Sequence, residues 1–321
     1  MQHLLLVGMI FAFGVESFLW KLNKRSPMAT LLILSFWALV VALPAFIIAW
    51  AIPSVDLFAN LTWGVVGWIA LANVFIIICI LSWVRVMQFM HVSIADPLSL
   101  FRIIPLVFLS FWIFGDPLTV WQVIAVAVIF IMCGALGFVQ GRKNTAKESI
   151  TTDCECEPEC IDVAEGAPQQ KAAVRSDFLK GMLFMAIWLV SAVTLDMLVR
   201  HIMDHEISIF AQTTISRTIK LVAVVPLFWI KRQSIHRAIR EGITDKLLII
   251  ISCLAYLGVL ALLTLITTMN VGVFFAIATP IMSVLTILLG VILLKERARW
   301  YSYILIAGII AGAVTLAVLG M

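Results

Sequence analysis

Hydrophobic residues occur in ten long runs, which are separated by shorter polar segments. Each run has about twenty residues, the length that a helix needs to cross the hydrocarbon core of a bilayer. The runs do not alternate apolar and polar positions, as the strands of a membrane β-barrel do. The pattern therefore predicts an all-α membrane protein with ten transmembrane helices. Their approximate limits are 3–20, 28–50, 61–84, 93–114, 118–140, 178–199, 207–230, 246–267, 271–294 and 300–320.

The composition supports a bilayer as the solvent. Hydrophobic residues make up 63% of the chain and charged residues only 12%, whereas about 25% of the residues of a typical soluble domain are charged. This excludes a water-soluble domain, and the net charge of +4 does not indicate a nucleic-acid partner. Met1, Gln2 and His3 supply no basic segment before the first run, so a cleaved secretory signal is not expected.

Lysine and arginine lie almost entirely on one side of the predicted membrane. The segments that follow the odd-numbered runs contain eighteen of them, whereas the opposite side has only Arg200. Basic residues collect in cytoplasmic loops. The distribution predicts a multi-pass protein of the inner (plasma) membrane with both termini outside and the central linker in the cytoplasm.

The chain divides into two halves of five runs each. Residues 1–140 form the first half, 141–176 a polar linker rich in cysteine and acidic residues, and 177–321 the second half. Because five is an odd number, the second half enters the membrane with the opposite polarity, and we predict a 5+5 inverted-topology repeat. A shift of 180 residues supports the repeat, since it places Glu16 on Asp196 and Asp116 on Glu296.

Three cations lie within the predicted spans. Arg217 is near the middle of the seventh run, Lys220 follows three residues later on the same helical face, and Arg102 lies in the fourth run between Pro97 and Pro105. An arginine at the centre of a span costs about 2.5–3.5 kcal/mol on insertion scales, so these side chains should face the protein interior or a hydrated cavity. They are candidate substrate contacts, because a guanidinium binds carboxylate or phosphate well. The alternative is that carboxylates on neighbouring helices neutralise them.

Glu16 and Asp196 are candidate coupling or gate residues. A carboxylate buried in a membrane can bind a proton on one side and release it on the other. Glu16 can instead pair with Lys21 or Lys24 near the end of its helix.

Two prolines are further candidates for gate positions. Pro44 lies toward the outer end of the second run and Pro226 toward the inner end of the seventh. Equivalent helix breaks at opposite depths suit the two gates of an inverted repeat. Kinks that serve only packing are the alternative.

Two motifs resemble metal sites without completing one. Cys154, Cys156 and Cys160 lie close together in the linker, but a closed zinc site needs four ligands. His201 and His205 are four residues apart in a predicted outer loop and lack a third ligand. We therefore predict no metal and no cofactor. No set of acid, base and nucleophile is apparent, so an enzyme is not expected.

The closing segment, Thr279 to Leu319, resembles that of EamA-type members of the drug/metabolite transporter superfamily. The residues that carry the resemblance are Pro280, Glu296, Arg297, Gly308 and Gly312. The resemblance implies alternating-access transport of a small metabolite without identifying that metabolite. Small multidrug-resistance proteins, which are distant relatives, carry a membrane-embedded glutamate in their first helix that exchanges protons for cationic drugs, and Glu16 is similar to it in position.

The predicted function is transport, with export as the expected direction, of a small anionic or zwitterionic metabolite such as an amino acid or organic acid. Arg102, Arg217 and Lys220 are the expected substrate contacts. The expected partners are this substrate, the bilayer, and a proton or counter-substrate. One alternative is a proton-coupled exporter of cationic or lipophilic drugs that uses Glu16. Another is a polytopic enzyme or scaffold.

Overall fold

The structure is a computed structural model. It describes residues 2–23, 26–53, 56–89, 95, 98–115, 119–121, 123–128, 130–132, 134–135, 167–230, 245–267, 271–293, 304–305, 307–308, 311–312 and 315. Over these residues the secondary structure is helical apart from short turns, and no strand is present among them. The predicted all-α class is therefore confirmed, whereas the count of ten helices and the 5+5 inverted repeat remain predictions.

The helices are numbered in chain order. They are α1 (Gln2–Leu22), α2 (Pro27–Ala51), α3 (Trp63–Phe89), α4 (Ile103–Phe114), α5 (residues 123–128 and 130–132), α6 (Ala167–Met203), α7 (Ile209–Ile230), α8 (Lys246–Ile266) and α9 (Val271–Leu293). Five of them contain segments long and apolar enough to cross a membrane: His3–Trp20, Pro27–Ala51, Trp63–Phe89, Leu179–Met203 and Lys246–Ile266.

Local sequence signals explain several helix ends. Ser26 precedes α2 and its side chain accepts a hydrogen bond from the Ala29 amide, while Asp245 accepts one from the Leu247 amide at the start of α8. Both are preferred N-cap residues, because their side-chain oxygens bind amides that have no partner within the helix. Gly115 ends α4 in the left-handed conformation, with φ of +68°, which glycine adopts without steric cost.

Two helices depart from the predicted limits. A turn of 3-10 helix at Leu100–Arg102 precedes α4, so Arg102 lies just before this helix and not within a continuous one. Pro105 is the third residue of α4, a position where its missing amide proton costs little. Helix α6 begins at Ala167, within the predicted linker 141–176. The alanine, glutamine and lysine residues there have high helix propensity, which outweighs the polar character of the segment.

The helix contacts follow a regular pattern. α1 packs against α8 and α9, α2 packs against α7 and α8, and α3 packs against α6 and α7. α4 packs against α6 and α9. Adding five to the helix numbers of the first half, and subtracting five from those of the second, converts each of these contacts into another in the set or into itself.

The outer surface of the bundle is apolar. Large side chains such as Trp63, Trp112 and Trp229 are exposed, as are Leu4 and Phe108. Buried hydroxyl groups, by contrast, donate to carbonyls of their own helix: Ser35 donates to Leu31 and Ser252 to Leu248. This distribution is suited to lipid, because a polar group in hydrocarbon has to find its hydrogen-bond partner within the protein.

A close helix contact next to the interior cavity yields a first testable prediction. A Cβ atom added at Gly258 on α8 would lie 2.9 Å from carbon atoms of the Phe13 ring on α1. We expect Gly258→Ala to destabilise the protein by about 1–3 kcal/mol, because a rigid ring has to move. Thermal unfolding of the purified protein in detergent measures the change.

The matched control for this variant is Gly67→Ala on α3, where an added Cβ meets nothing within 4 Å. Alanine favours a helix over glycine by about 0.5–1 kcal/mol, so this variant should be equal to or slightly more stable than the parent. An equal loss of stability in both variants would contradict the proposed contact.

Candidate functional site

Two adjoining chambers occupy the interior of the bundle. The first chamber has a volume of about 310 Å³ and the second about 320 Å³, near the lower end of the range for small-molecule sites. Seven residues line both chambers: Phe13, Glu16, Trp20, Cys79, Ile80, Asp196 and Leu262. They come from α1, α3, α6 and α8, so the shared wall is built from both halves of the chain.

Arg102 lies in the wall of the first chamber. Its Nη2 donates to Thr279 Oγ1 at 3.3 Å, and its Cζ lies 5.6 Å from the ring centroid of Trp188 and 5.4 Å from that of Phe275. Aromatic faces attract a guanidinium without neutralising its charge. The Nε of Arg102 is buried and has no hydrogen-bond partner in the described structure. The guanidinium is therefore held in place and keeps capacity to bind an anion.

Arg217 and Lys220 lie in the wall of the second chamber. The side chain of Arg217 is only 9% exposed and that of Lys220 only 2%. The predicted interior orientation of this face of α7 is therefore confirmed. Gln212 on the same helix lines the chamber as well, and its buried Oε1 has no partner among the described residues.

Glu16 and Asp196 line both chambers. Glu16 accepts a hydrogen bond from Trp20 Nε1 at 3.2 Å. Asp196 is 9% exposed, and its Oδ2 has no hydrogen-bond partner among the described groups. Over the described ranges, neither carboxylate lies within 4.0 Å of a basic nitrogen. Glu16 is within electrostatic reach of Arg217 and Lys220, as Asp196 is of Arg102.

The lengths of the two helices place both carboxylates away from the helix ends. Helix α1 continues to Leu22 and α6 to Met203, so both carboxylates lie more than one turn inside their helices. The alternative pairing of Glu16 with Lys21 or Lys24 is not tested, since the side chain of Lys21 and all of Lys24 lie outside the described residues.

Sequence reasoning missed the hydroxyl groups of the first chamber and one polar residue outside both chambers. Hydroxyl and aromatic side chains complete the first chamber: Ser99, Thr279, Ser283, Thr286, Trp83 and Trp188. The rings of Trp83 and Trp188 are 4.9 Å apart. Asn73 was also missed, although it is a lone amide in an apolar run. It accepts a hydrogen bond from Ser216 Oγ at 3.1 Å and donates to the Ile69 carbonyl at 2.8 Å, which joins α3 to α7.

The two predicted gate prolines do not reach the cavity. α2 continues through Pro44 and α7 continues through Pro226, and both prolines are exposed. Neither of them lines a chamber. A gate role for them stays a prediction.

The histidine motif forms a packed surface cluster. His201 stacks edge-on against Trp68 and His205, with centroid distances of 5.2 Å in both cases. Nearby, Arg200 Nε lies 3.1 Å from Asp204 Oδ1, and Arg200 Nη1 donates a hydrogen bond to the Ile266 carbonyl. No group of three metal-ligating side chains occurs within the described part of the chain. Cys154, Cys156 and Cys160 lie outside it.

Comparisons with known proteins find a family model that is similar to the second half of the chain. Residues 179–318 match the model of the EamA-like transporter family, which confirms the resemblance predicted from the closing segment. Among 26 matching chains of solved structures, one crystal structure of a protein superposes with a TM-score of 0.66, over 99% of this chain and 98% of its own, at 13% identity. At that identity the likeness shows the fold alone. No curated protein matches the sequence.

Proposed function

We propose that this chain, whose residues 179–318 match the EamA-like transporter family, moves a small anionic or zwitterionic metabolite across the inner membrane. The apolar surface and the long apolar helices support a multi-pass location. The two chambers supply an interior site to which polar side chains point from both halves. The proposed direction is export, with both termini on the outer side of this membrane and the central linker in the cytoplasm.

The observation that carries this proposal is the placement of three cations in the chamber walls. Arg102, Arg217 and Lys220 have no carboxylate within 4.0 Å among the described residues, and each lines a chamber. A buried cation without a bound partner is costly. An anion that enters the cavity gains the attraction of these groups, which is why a substrate with at least one negative group is favoured.

Alternating access follows from the proposed 5+5 inverted repeat. The pattern of helix contacts supports it, because exchanging each helix for the one five places away reproduces the eight contacts described above. Glu16 and Asp196, which a shift of 180 residues superimposes, lie in the wall that the two chambers share. We infer that the two halves rock about this wall and expose the cavity first to one side of the membrane and then to the other.

Transport in proteoliposomes tests the proposal. Vesicles that contain the purified protein are loaded with one unlabelled metabolite, and uptake of the same labelled metabolite is followed. Candidates are amino acids, organic acids and, as the comparison class, cationic drugs. Accumulation of an anionic or zwitterionic compound above protein-free vesicles is expected. Accumulation of cationic drugs alone would overturn the assignment.

A second candidate function is proton-coupled export of cationic or lipophilic drugs. The observation in its favour is that Glu16 lines both chambers beside aromatic residues, among them Phe13 and Trp20. In this reading the carboxylate would bind either the proton or the cationic drug.

Replacing Glu16 by Gln separates the two functions. Under our main proposal the variant keeps net transport of the anionic substrate within about threefold of the parent, since losing a negative charge from the wall costs an anion little. Under the second, drug transport driven by a pH gradient is lost. Uptake with and without an imposed pH gradient is the measurement. Glu206→Gln, an exposed carboxylate in the turn after α6, is the control.

A further inference from the structure

The charged groups of the cavity are arranged in a fixed order. Arg102 lines only the first chamber, Arg217 and Lys220 line only the second, and Glu16 and Asp196 line both. A molecule that occupies both chambers therefore meets a cation at each end and carboxylates between them. Counted by formal charge, the three cations and two carboxylates among the described lining residues leave a surplus of one positive charge.

Unmet hydrogen-bonding capacity marks where a ligand can bind. Arg102 Nε, Asp196 Oδ2 and Gln212 Oε1 are buried and have no partner within the described structure. A buried polar atom without a partner costs free energy, and a ligand that binds it recovers that cost. Asp196 Oδ2 accepts and cannot donate when ionised, so it fits a ligand donor such as an ammonium group. The donor Nε of Arg102 fits an anion.

Glu16 differs from Asp196 in its surroundings. Its Oε1 already accepts a hydrogen bond from Trp20, and it is within electrostatic reach of Arg217 and Lys220. Asp196 is within electrostatic reach of Arg102. Because both carboxylates lie in the wall that the chambers share, the surplus positive charge belongs to the cavity as a whole. The cations at the two ends favour the anionic groups of a ligand, and Asp196 in the shared wall favours a cationic group.

From this order of charges we infer that the substrate is an acidic amino acid, with two carboxylates and one ammonium group. The α-carboxylate binds Arg102 in the first chamber, and the ammonium group binds Asp196 in the shared wall. The side-chain carboxylate enters the second chamber and binds Arg217 and Lys220. This inference rests on the proposed function, because it assigns the substrate of the same cavity.

The charge pattern disfavours simpler ligands. A dicarboxylate without an amine leaves Asp196 unpaired and places a second negative group near it. A neutral amino acid leaves Arg217 and Lys220 without an anionic partner. An acidic amino acid carries a net charge of −1, which matches the surplus of the cavity.

Binding to the purified full-length protein tests the inference. The probes are L-glutamate, glutarate, which lacks the amine, and L-glutamine, which lacks the second carboxylate. In isothermal titration calorimetry, L-glutamate is expected to bind with an affinity at least tenfold higher than that of glutarate or L-glutamine. Equal or tighter binding of glutarate or of L-glutamine would overturn the inference.

Two variants test the assigned contacts. Asp196→Asn should reduce the preference for L-glutamate over glutarate at least fivefold, because the ammonium group loses its partner. Lys220→Gln should reduce the preference for L-glutamate over L-glutamine to a similar degree. Glu206→Gln and Lys246→Gln, at exposed positions, are the matched controls. Unchanged ratios in folded Asp196→Asn and Lys220→Gln proteins would overturn the contacts.

The outcome also separates this inference from the proposed function. If vesicles accumulate a neutral amino acid or a monocarboxylate but not L-glutamate, the substrate class is wrong and the transport function stands. If no anionic or zwitterionic compound accumulates although the protein is folded, both fail. If the purified protein binds none of the probes in detergent, uptake of L-glutamate into proteoliposomes is measured instead. Saturable uptake supports the inference, and the absence of uptake contradicts it.

Discussion

Replacing Arg217 by Gln is expected to lower the affinity for the anionic substrate about a hundredfold while the protein remains folded. The Arg217 side chain is 9% exposed and lines the second chamber. Loss of a buried charged contact weakens binding by about 2–5 kcal/mol, and a hundredfold corresponds to about 2.8 kcal/mol. Titration of the purified variant and uptake into proteoliposomes measure the effect.

The same variant distinguishes binding from internal pairing. If Arg217 served mainly to neutralise Glu16, its removal would leave a buried carboxylate unpaired and destabilise the protein by about 3–5 kcal/mol. Our proposal expects little loss of stability, since no ion pair within 4.0 Å is broken among the described residues. Arg85→Gln, at an exposed position on α3, is the control. A large fall in unfolding temperature would contradict the assignment.

Replacing Arg102 by Lys is expected to weaken substrate binding at least tenfold even though the charge is kept. The guanidinium lies between the rings of Trp188 and Phe275 and donates to Thr279. A lysine ammonium lacks the planar shape that stacks on the rings while donating in two directions. The substrate affinities of Arg102→Lys and Arg102→Gln, measured under the same conditions, test this expectation.

The comparison of the two Arg102 variants decides what this residue contributes. If shape and charge both matter, the substrate affinity of the lysine variant lies between those of the parent and of the glutamine variant. Arg85→Lys is the matched control, because Arg85 is exposed and donates a hydrogen bond to Gln88 outside the chambers. Wild-type affinity in the Arg102→Lys protein would show that charge alone is sufficient and would remove the role of Trp188 and Phe275.

The family resemblance and the fold class could be predicted from the sequence because both depend on local order along the chain. Twenty-residue apolar runs have few structural solutions in a bilayer, where each backbone polar group needs a partner in its own segment. The interior orientation of Arg217 and Lys220 could also be predicted, because a central charge that faced lipid would cost several kcal/mol. Helix limits near Arg102 and Ala167 were less accurate, since local turns depend on packing.

By itself, therefore, the sequence determined that the chain is helical, that it is a membrane protein, and that its α7 cations point inward. Only the tertiary structure decided which groups meet. It brought Asp196 from α6 and Glu16 from α1 to one wall, placed Arg102 between two aromatic rings, and left Pro44 and Pro226 on the outer surface. The physical reason is that apolar periodicity specifies how each helix faces the interior. The relative positions of helices far apart in the chain depend on side-chain packing that no single segment encodes.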